Sequence, residues 1–347
     1  MRMLPGTEVP REPLGGASLS RVQLRVRALG TEAIEVQNVG RCPMRYLDEA
    51  VSRVRLLPGQ GVVLDYQLAL LAVAGPQDLP DPGPIPWSVT FGEEDALGLV
   101  GESAATWHLR KAIAEAAGRS DHTLVVGEPG TGRLTVALAI HDQSERASKT
   151  AITESARHIG EDGGTRLFGR DDAPGLIASA DESSLVLQHL DQLPPSQQAM
   201  LVRTLSSGQY RPIGAHGDQT ADLRFLGTTD RADDIDATLA DRVPGRVHVP
   251  SMMERVADIP LLVRSALRQL ARERVYGIER FFPGGDPSAT PRVNPDVVLA
   301  LCQHVFTDGI PELAALLGRC AECSTGKVLQ LVSDLEPEPP TQEFDPV

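Results

Sequence analysis

The run VVGEPGTGRL, Val125 to Leu134, restricts the folds open to this 347-residue chain more than any other stretch. Gly127, Gly130 and Gly132 lie between a short apolar run at 123–126 and an apolar stretch, Leu134 to Ile140, that reads as a helix. Glycines so placed let the backbone curl tightly between a strand and a helix. Its N–H groups then turn inward, where they and the helix N-terminus favour phosphate oxygens. The segment fits the pattern G-x-x-x-x-G-K except at its last position, where Arg133 stands for Lys. Arginine keeps the positive charge, but its planar fork cannot seat a compact ammonium between two phosphates. The candidate nucleotide-binding residues are Gly127, Glu128, Pro129, Gly130, Thr131, Gly132, Arg133 and Leu134. The plain alternative is a glycine-rich turn with no ligand.

Around this loop the chain changes rhythm several times. Residues 1–74 carry short alternating runs at Val22–Val26, Ala33–Val39, Val62–Tyr66 and Leu68–Val73, punctuated by Gly, Pro and Asn. That spacing predicts a small all-β sandwich or barrel. Residues 75–97 open with GPQDLPDPGPIP and read as a linker. From about residue 98 to 255, strands at 123–126, 185–187, 223–227 and 247–249 alternate with helices, among them one capped by Ser103 and one over 196–205. This order predicts a mainly parallel sheet covered on both faces. Residues 256–333 turn helical, with helices expected over 261–270, 295–305 and 311–321. Residues 334–347 are acidic and Pro-rich, a composition expected to stay disordered.

The segments LVGESAATWHLRKAIAEAAGRSDHTLVVGEPGTGR, IHDQSER, LFG, LPPSQQAMLVRTLSSGQYRPIG, DLRFLGTTD and VHVPSMMERVADIP occur in an order and spacing that resemble the AAA+ domain of bacterial sigma-54 activators. The resemblance runs from about Gly98 to Ser333. It implies an α/β AAA+ P-loop domain with a parallel sheet and a helical lid. It also implies ATP or ADP as ligand, and oligomers that remodel polymerase.

Several family positions are altered here. The family's GTLFLDEI is SSLVLQHL, so Gln188 stands for the Mg²⁺-organising Asp and His189 for the catalytic Glu. A neutral amide is a poor ligand for Mg²⁺, which favours charged oxygens. The GAFTGA loop expected after LFG is replaced by Arg170 to Pro174, so the loop that touches the sigma factor is expected to be missing. Asp236 and Arg242 stand for the two arginine fingers, Thr229 and Asp230 for the sensor pair, and Pro311 for the lid arginine. Phosphoryl transfer depends on positioning and charge stabilisation, and most of these changes remove one or the other. The resemblance with its departures implies a pseudo-ATPase with weak nucleotide binding and no strong Mg²⁺ site. The alternative is a diverged but active ATP-dependent activator.

At the N-terminus, SLSRVQLRVRALGTEAIEVQNVGRCPMRY resembles part of a forkhead-associated (FHA) domain, the β-sandwich that reads phosphothreonine. The resemblance places Ser20 and Arg21 on a phosphate through charge-assisted hydrogen bonds, with Gln23 where the family has His. Arg11 is a poor substitute for the family's upstream arginine. The alternative is a retained β scaffold with no working pocket. Cys302 and His304, with Cys320 and Cys323, have spacing that zinc can use, but they fall on or beside lid helices where thiols pack as small apolar groups, so no metal site is expected.

Charge bears on partners. The net charge is −14, only three of the 33 basic residues are Lys, and the basic residues look scattered. Together with the absence of a helix-turn-helix pattern after the lid, this argues against direct DNA binding. No signal-peptide core or membrane-length apolar run is present, which places the chain in the cytoplasm by expectation. The expected partners are proteins: AAA+ relatives, in a possible shared oligomer, or a phosphorylated protein.

Overall fold

The computed structural model describes residues 19–332 apart from 31, 66, 75–84, 160–163 and 172. Arg11, Tyr66, most of the linker and the acidic 334–347 segment lie outside the described residues. The chain divides into two compact units. One holds residues 1–75, 267–304 and 316–347, and the other residues 76–266 and 305–315.

The first unit begins with seven short strands: β1 (Leu24–Leu29), β2 (Ala33–Asn38), β3 (Met44–Tyr46), β4 (Glu49–Ala50), β5 (Arg53–Leu56), β6 (Gly61–Leu64) and β7 (Leu68–Leu71). They form two antiparallel sheets, β1-β2-β5 and β4-β3-β6-β7. Val36, Met44, Tyr46, Val54, Leu56, Val62 and Leu64 share one core. The first strand starts at Leu24 rather than Val22, and β3 to β5 were not anticipated. These three are two to four residues long, too short to show an alternating pattern on their own.

The basic residues of the β1-β2-β5 sheet are not scattered but aligned in rows. Cross-strand register sets Arg25 opposite Gln37 and Gln37 opposite Arg53, and likewise Arg27, Glu35 and Arg55 in the next row. All four arginines are exposed, on the face away from the core residues Val36, Val54 and Leu56. Because β1 and β5 flank β2, arginines 28 residues apart in sequence come to one face, a patch that linear spacing hides.

The second unit carries the glycine loop. It runs α1 (Ala104–Ala117), β8 (Thr123–Val126), α2 (Arg133–Asp142), β9 (Ile152–Ser155), α3 (Thr165–Phe168), α4 (Leu176–Ser179), β10 (Ser184–Gln188), α5 (Pro195–Ser207), the β11 (Gln209–Tyr210) and β12 (Gln219–Thr220) hairpin, β13 (Arg224–Thr229), α6 (Ala237–Arg242) and β14 (Gly245–His248). The main sheet has order β14-β8-β13-β10-β9, and every pairing in it is parallel. Such strands bury both faces, which explains apolar runs like LVV and SLVL. One face packs on Leu109, Ile113, Val136 and Ile140 from α1 and α2. The other packs on Leu167, Phe168, Ile177, Leu201 and Leu239 from α3 to α6. Ser103 caps α1 as expected, its hydroxyl accepting from Thr106 N at 3.2 Å.

Where the long loop was expected to be missing, described residues on either side of residue 172 are tied together by backbone bonds. Arg170 and Ala173 exchange backbone bonds of 3.0 and 2.8 Å, and Gly169 has φ +82°. Beyond β14 come α7 (Ile259–Arg272), α8 (Pro295–Gln303) and α9 (Gly309–Cys323). Within the first unit α8 sits beside the β-sandwich: Arg45 binds both oxygens of Asp296, at 3.3 and 3.1 Å, and Gln303 donates to Gly59 O at 3.1 Å.

Candidate functional site

The glycine loop leaves β8 at Val126 and enters α2 at Arg133. Gly130 and Gly132 hold φ of +66° and +95°, conformations that only glycine adopts without strain. Thr131 Oγ1 donates back to Glu128 O at 2.7 Å and holds the loop curled. Gly132 is the N-cap residue and supplies no side-chain acceptor, so the first N–H groups of α2 are not capped by a side chain. That is the arrangement an anionic group can use. Neighbouring backbone crowds the loop: a Cβ on Gly130 would collide with Asp308 O, and Ile310 N donates to Gly130 O at 2.9 Å. Pro311, at the lid-arginine position, has its Cδ 3.0 Å from that same Cβ position.

Arg133 is already engaged. Its Nη1 donates to Gly127 O at 2.8 Å and lies 3.4 Å from Asp230 Oδ1, and the side chain is 10% exposed. The cation that should meet a phosphate is therefore held by a loop carbonyl and by the sensor-position carboxylate. Gln188 ends β10, half-buried, in register with Ser155 of β9. His189 follows in the left-handed region, with φ +54°. Its buried Nδ1 has no hydrogen-bond partner. Burial pushes the imidazole below its ordinary value, Arg157 and Arg133 lower it further, and Asp191 and Asp230 oppose them. A neutral ring beside two cations keeps a basic nitrogen but no negative charge.

Thr229 is fully buried and donates to Asp191 Oδ1 at 2.7 Å, while its hydroxyl accepts from Arg231 N at 2.9 Å. Thr229, Asp191, Asp230, Arg133 and His189 thus converge at the ends of β8, β10 and β13. Arg242 does not join them among the described contacts: it is exposed in the last turn of α6 and makes no ion pair among the described residues. Asp236 serves as the N-cap of α6, accepting from Thr238 N at 2.9 Å.

Two features escaped the sequence reading. Arg255 is 4% exposed, and its Nη2 donates to Thr131 O at 3.3 Å. Burial lowers its pKa against the raising effect of Asp258. Asp258, fully buried, accepts from Glu102 N, Ser103 N, Ser103 Oγ and Thr106 Oγ1 at 2.6 to 2.7 Å. The signal was the charged pair within ERVAD just before an apolar helix, where charges rarely bury without partners.

In the β-sandwich, Gln23 takes up a structural role. Its Nε2 donates to Asn38 Oδ1 at 2.7 Å and to Cys42 O at 2.8 Å, and its Oε1 accepts from Ser20 N at 3.0 Å. Ser20 Oγ accepts from Arg41 N at 3.0 Å. The Arg41 backbone thus lies against Ser20, and Arg41, absent from the sequence reading, is exposed like Arg21. Cys302 and Cys320 are buried, burial pushing the Cys302 thiol up to about 12. Among the described residues, no three His, Cys, Asp or Glu side chains group as metal ligands. No described helix is long and apolar enough to cross a membrane.

Residues 99–242 match the family model described as the sigma-54 interaction domain. Transcriptional regulator VasH of Vibrio cholerae is 37% identical over 144 residues, covering 38% of this chain and 27% of that protein. The formate hydrogenlyase transcriptional activator FhlA of Escherichia coli is 28% identical over 276 residues, covering 72% of this chain and 37% of that one. The chain therefore spans between about a quarter and two fifths of these relatives' length. Crystal structures of NtrX from Brucella abortus, in complex with ADP and with ATP, each superpose with TM-score 0.59 at 25% identity, covering 70% and 69% of this chain and 56% of that one.

Proposed function

We propose that the chain, whose residues 99–242 match the sigma-54 interaction domain model, is a regulatory relative of sigma-54 transcriptional activators that binds nucleotide weakly and does not hydrolyse it. One observation carries this reading. At the end of β10, where phosphoryl transfer needs two carboxylates, stand a neutral amide, Gln188, and a neutral imidazole, His189. The loop itself fits a phosphate, because its helix N-terminus is open and its left-handed glycines hold the curl. The surroundings do not fit Mg²⁺, since Gln188 is uncharged, Leu134 offers no oxygen, and Asp191 and Asp230 are taken by Thr229 and Arg133.

The protein then acts through partners. Exposed Arg242 is free to reach the site of a related AAA+ chain beside it. The Ser20, Arg21 and Arg41 loop of an FHA-like sandwich presents two exposed cations and a hydroxyl to a phosphorylated protein. NtrX was crystallised with both ADP and ATP, which supports nucleotide as the ligand class for the loop.

A thermal-shift titration with ATP, with and without Mg²⁺, tests the reading, because a ligand selective for the folded state raises the melting temperature with its concentration. The expected result is a small rise that Mg²⁺ leaves unchanged. A large rise that requires Mg²⁺ means that Asp191 or Asp230 has taken the metal, and the reading fails. No rise at millimolar ATP removes nucleotide from it and leaves an interaction module.

A further inference from the structure

The arginine rows on the β-sandwich are out of keeping with the chain that carries them. Residues 19–74 hold seven Arg against five Asp and Glu, a local excess of positive charge in a chain of net charge −14. Four of those arginines, Arg25, Arg27, Arg53 and Arg55, share the outer face of the β1-β2-β5 sheet and are all exposed. The single acid between them is Glu35, whose nearest cation is Arg53 at 3.9 Å. Four like charges held on one sheet face repel one another, and an anion laid over them relieves that repulsion.

Their geometry selects the anion. Residues two apart on a strand lie roughly 6.8 Å apart on the same face, and β1 and β5 are separated by about 9.6 Å across β2. A β-extended polypeptide with acids at alternate positions presents them on one face at about the same spacing, near 6.8 Å. Arginine forks pair with carboxylates two bonds at a time, which rewards that match. A single-stranded nucleic acid fits less well, because it relies on aromatic stacking and the rows carry only Arg, Gln and Glu. A duplex brings a charge about every 1.7 Å and sets some of it against Glu35.

The chain contains a segment with the required chemistry. Residues 334–347 carry five acids and no Lys or Arg, with Asp334, Glu336 and Glu338 at alternate positions and Glu343 and Asp345 repeating the step. Pro337, Pro339 and Pro340 favour extended backbone. Val332, the last described residue, belongs to the same compact unit as the sheet. We propose that the outer face of the β1-β2-β5 sheet is the docking surface for this chain's own acidic segment, residues 334–347.

Photo-crosslinking of the full chain tests this. Phe344 is replaced by benzoylphenylalanine and the purified protein is irradiated at low salt, unlabelled and as a mixture with isotope-labelled chain. The expected crosslinks fall in residues 24–29 or 53–56 of the same chain. They drop several-fold at about 0.5 M salt, where screening is short-ranged. They fall about tenfold when Arg25, Arg27, Arg53 and Arg55 are all changed to Gln. Since all four side chains are exposed, an unchanged melting temperature shows that this variant is folded, and Arg25→Gln with Arg27→Gln alone serves if it is not. Crosslinks elsewhere, crosslinks between copies, or a yield that the variant leaves unchanged overturn the proposal. So does duplex DNA that the wild type retards and the variant does not, which assigns the face to nucleic acid.

Discussion

Asp230→Asn should tighten ATP binding. In the folded chain Asp230 Oδ1 lies 3.4 Å from Arg133 Nη1, with both side chains mostly buried at 10% and 24% exposure. Two unit charges at that distance attract by about 5 kcal/mol at an effective dielectric near 20. Desolvation and side-chain ordering offset most of this, leaving about 1–2 kcal/mol for a partly buried pair. Phosphates entering the loop must draw Arg133 away from Asp230 and must approach the same carboxylate. Removing its charge while keeping its shape should therefore raise ATP affinity by about 1–2 kcal/mol, or roughly 5- to 30-fold. Isothermal titration without Mg²⁺ measures it. The gain should shrink when Arg133→Ala is added, because the part that comes from releasing Arg133 is then lost. Unchanged or weaker ATP binding in Asp230→Asn would refute the claim that this carboxylate occupies the phosphate cation.

Two further outcomes follow from buried groups. Asp258→Ala removes the acceptor of four hydrogen bonds and strands the buried donors around it, which should cost about 3–5 kcal/mol in urea denaturation, with Asp258→Asn milder. Stability should also fall as pH drops from 7.5 to 5.5. Burial, the largest cause at both His122 and His189, holds their folded pKa values below those of the unfolded chain. The stability they contribute is thus full above the unfolded value near 6.5 and is lost as pH falls toward the folded values, where the unfolded chain takes up more protons. His122 adds a specific reason, since its Nδ1 accepts from Phe225 N at 3.0 Å, which a charged ring cannot do. Melting curves of His122→Gln should show a shallower pH slope than wild type.

The α/β half was legible because its signals are local. The β8 strand, the glycine loop and α2 lie in one continuous stretch, and the apolar runs of β10 and β13 mark central parallel strands. Gln188 and His189 could be placed from the strand that precedes them. What was hidden depends on partners distant in sequence. Arg133 is engaged by Asp230 only because β8 and β13 are neighbours in the sheet. Arg255 and Asp258 bury beside residues more than a hundred positions earlier. The arginine rows need the β1-β2-β5 register, and β5 is four residues long. Arg41 reaches the Ser20 loop because Gln23 ties residues 20–23 to 38–42 by side-chain bonds no spacing rule anticipates.

The most direct test of the central claim is ATP turnover by the purified chain, beside an Arg133→Ala control. With Gln188 and His189 in place of carboxylates, the chain should release phosphate no faster than that control, at any Mg²⁺ concentration. Steady phosphate release that disappears in Arg133→Ala would mean that the site hydrolyses ATP by other groups, and the non-hydrolysing account would be wrong.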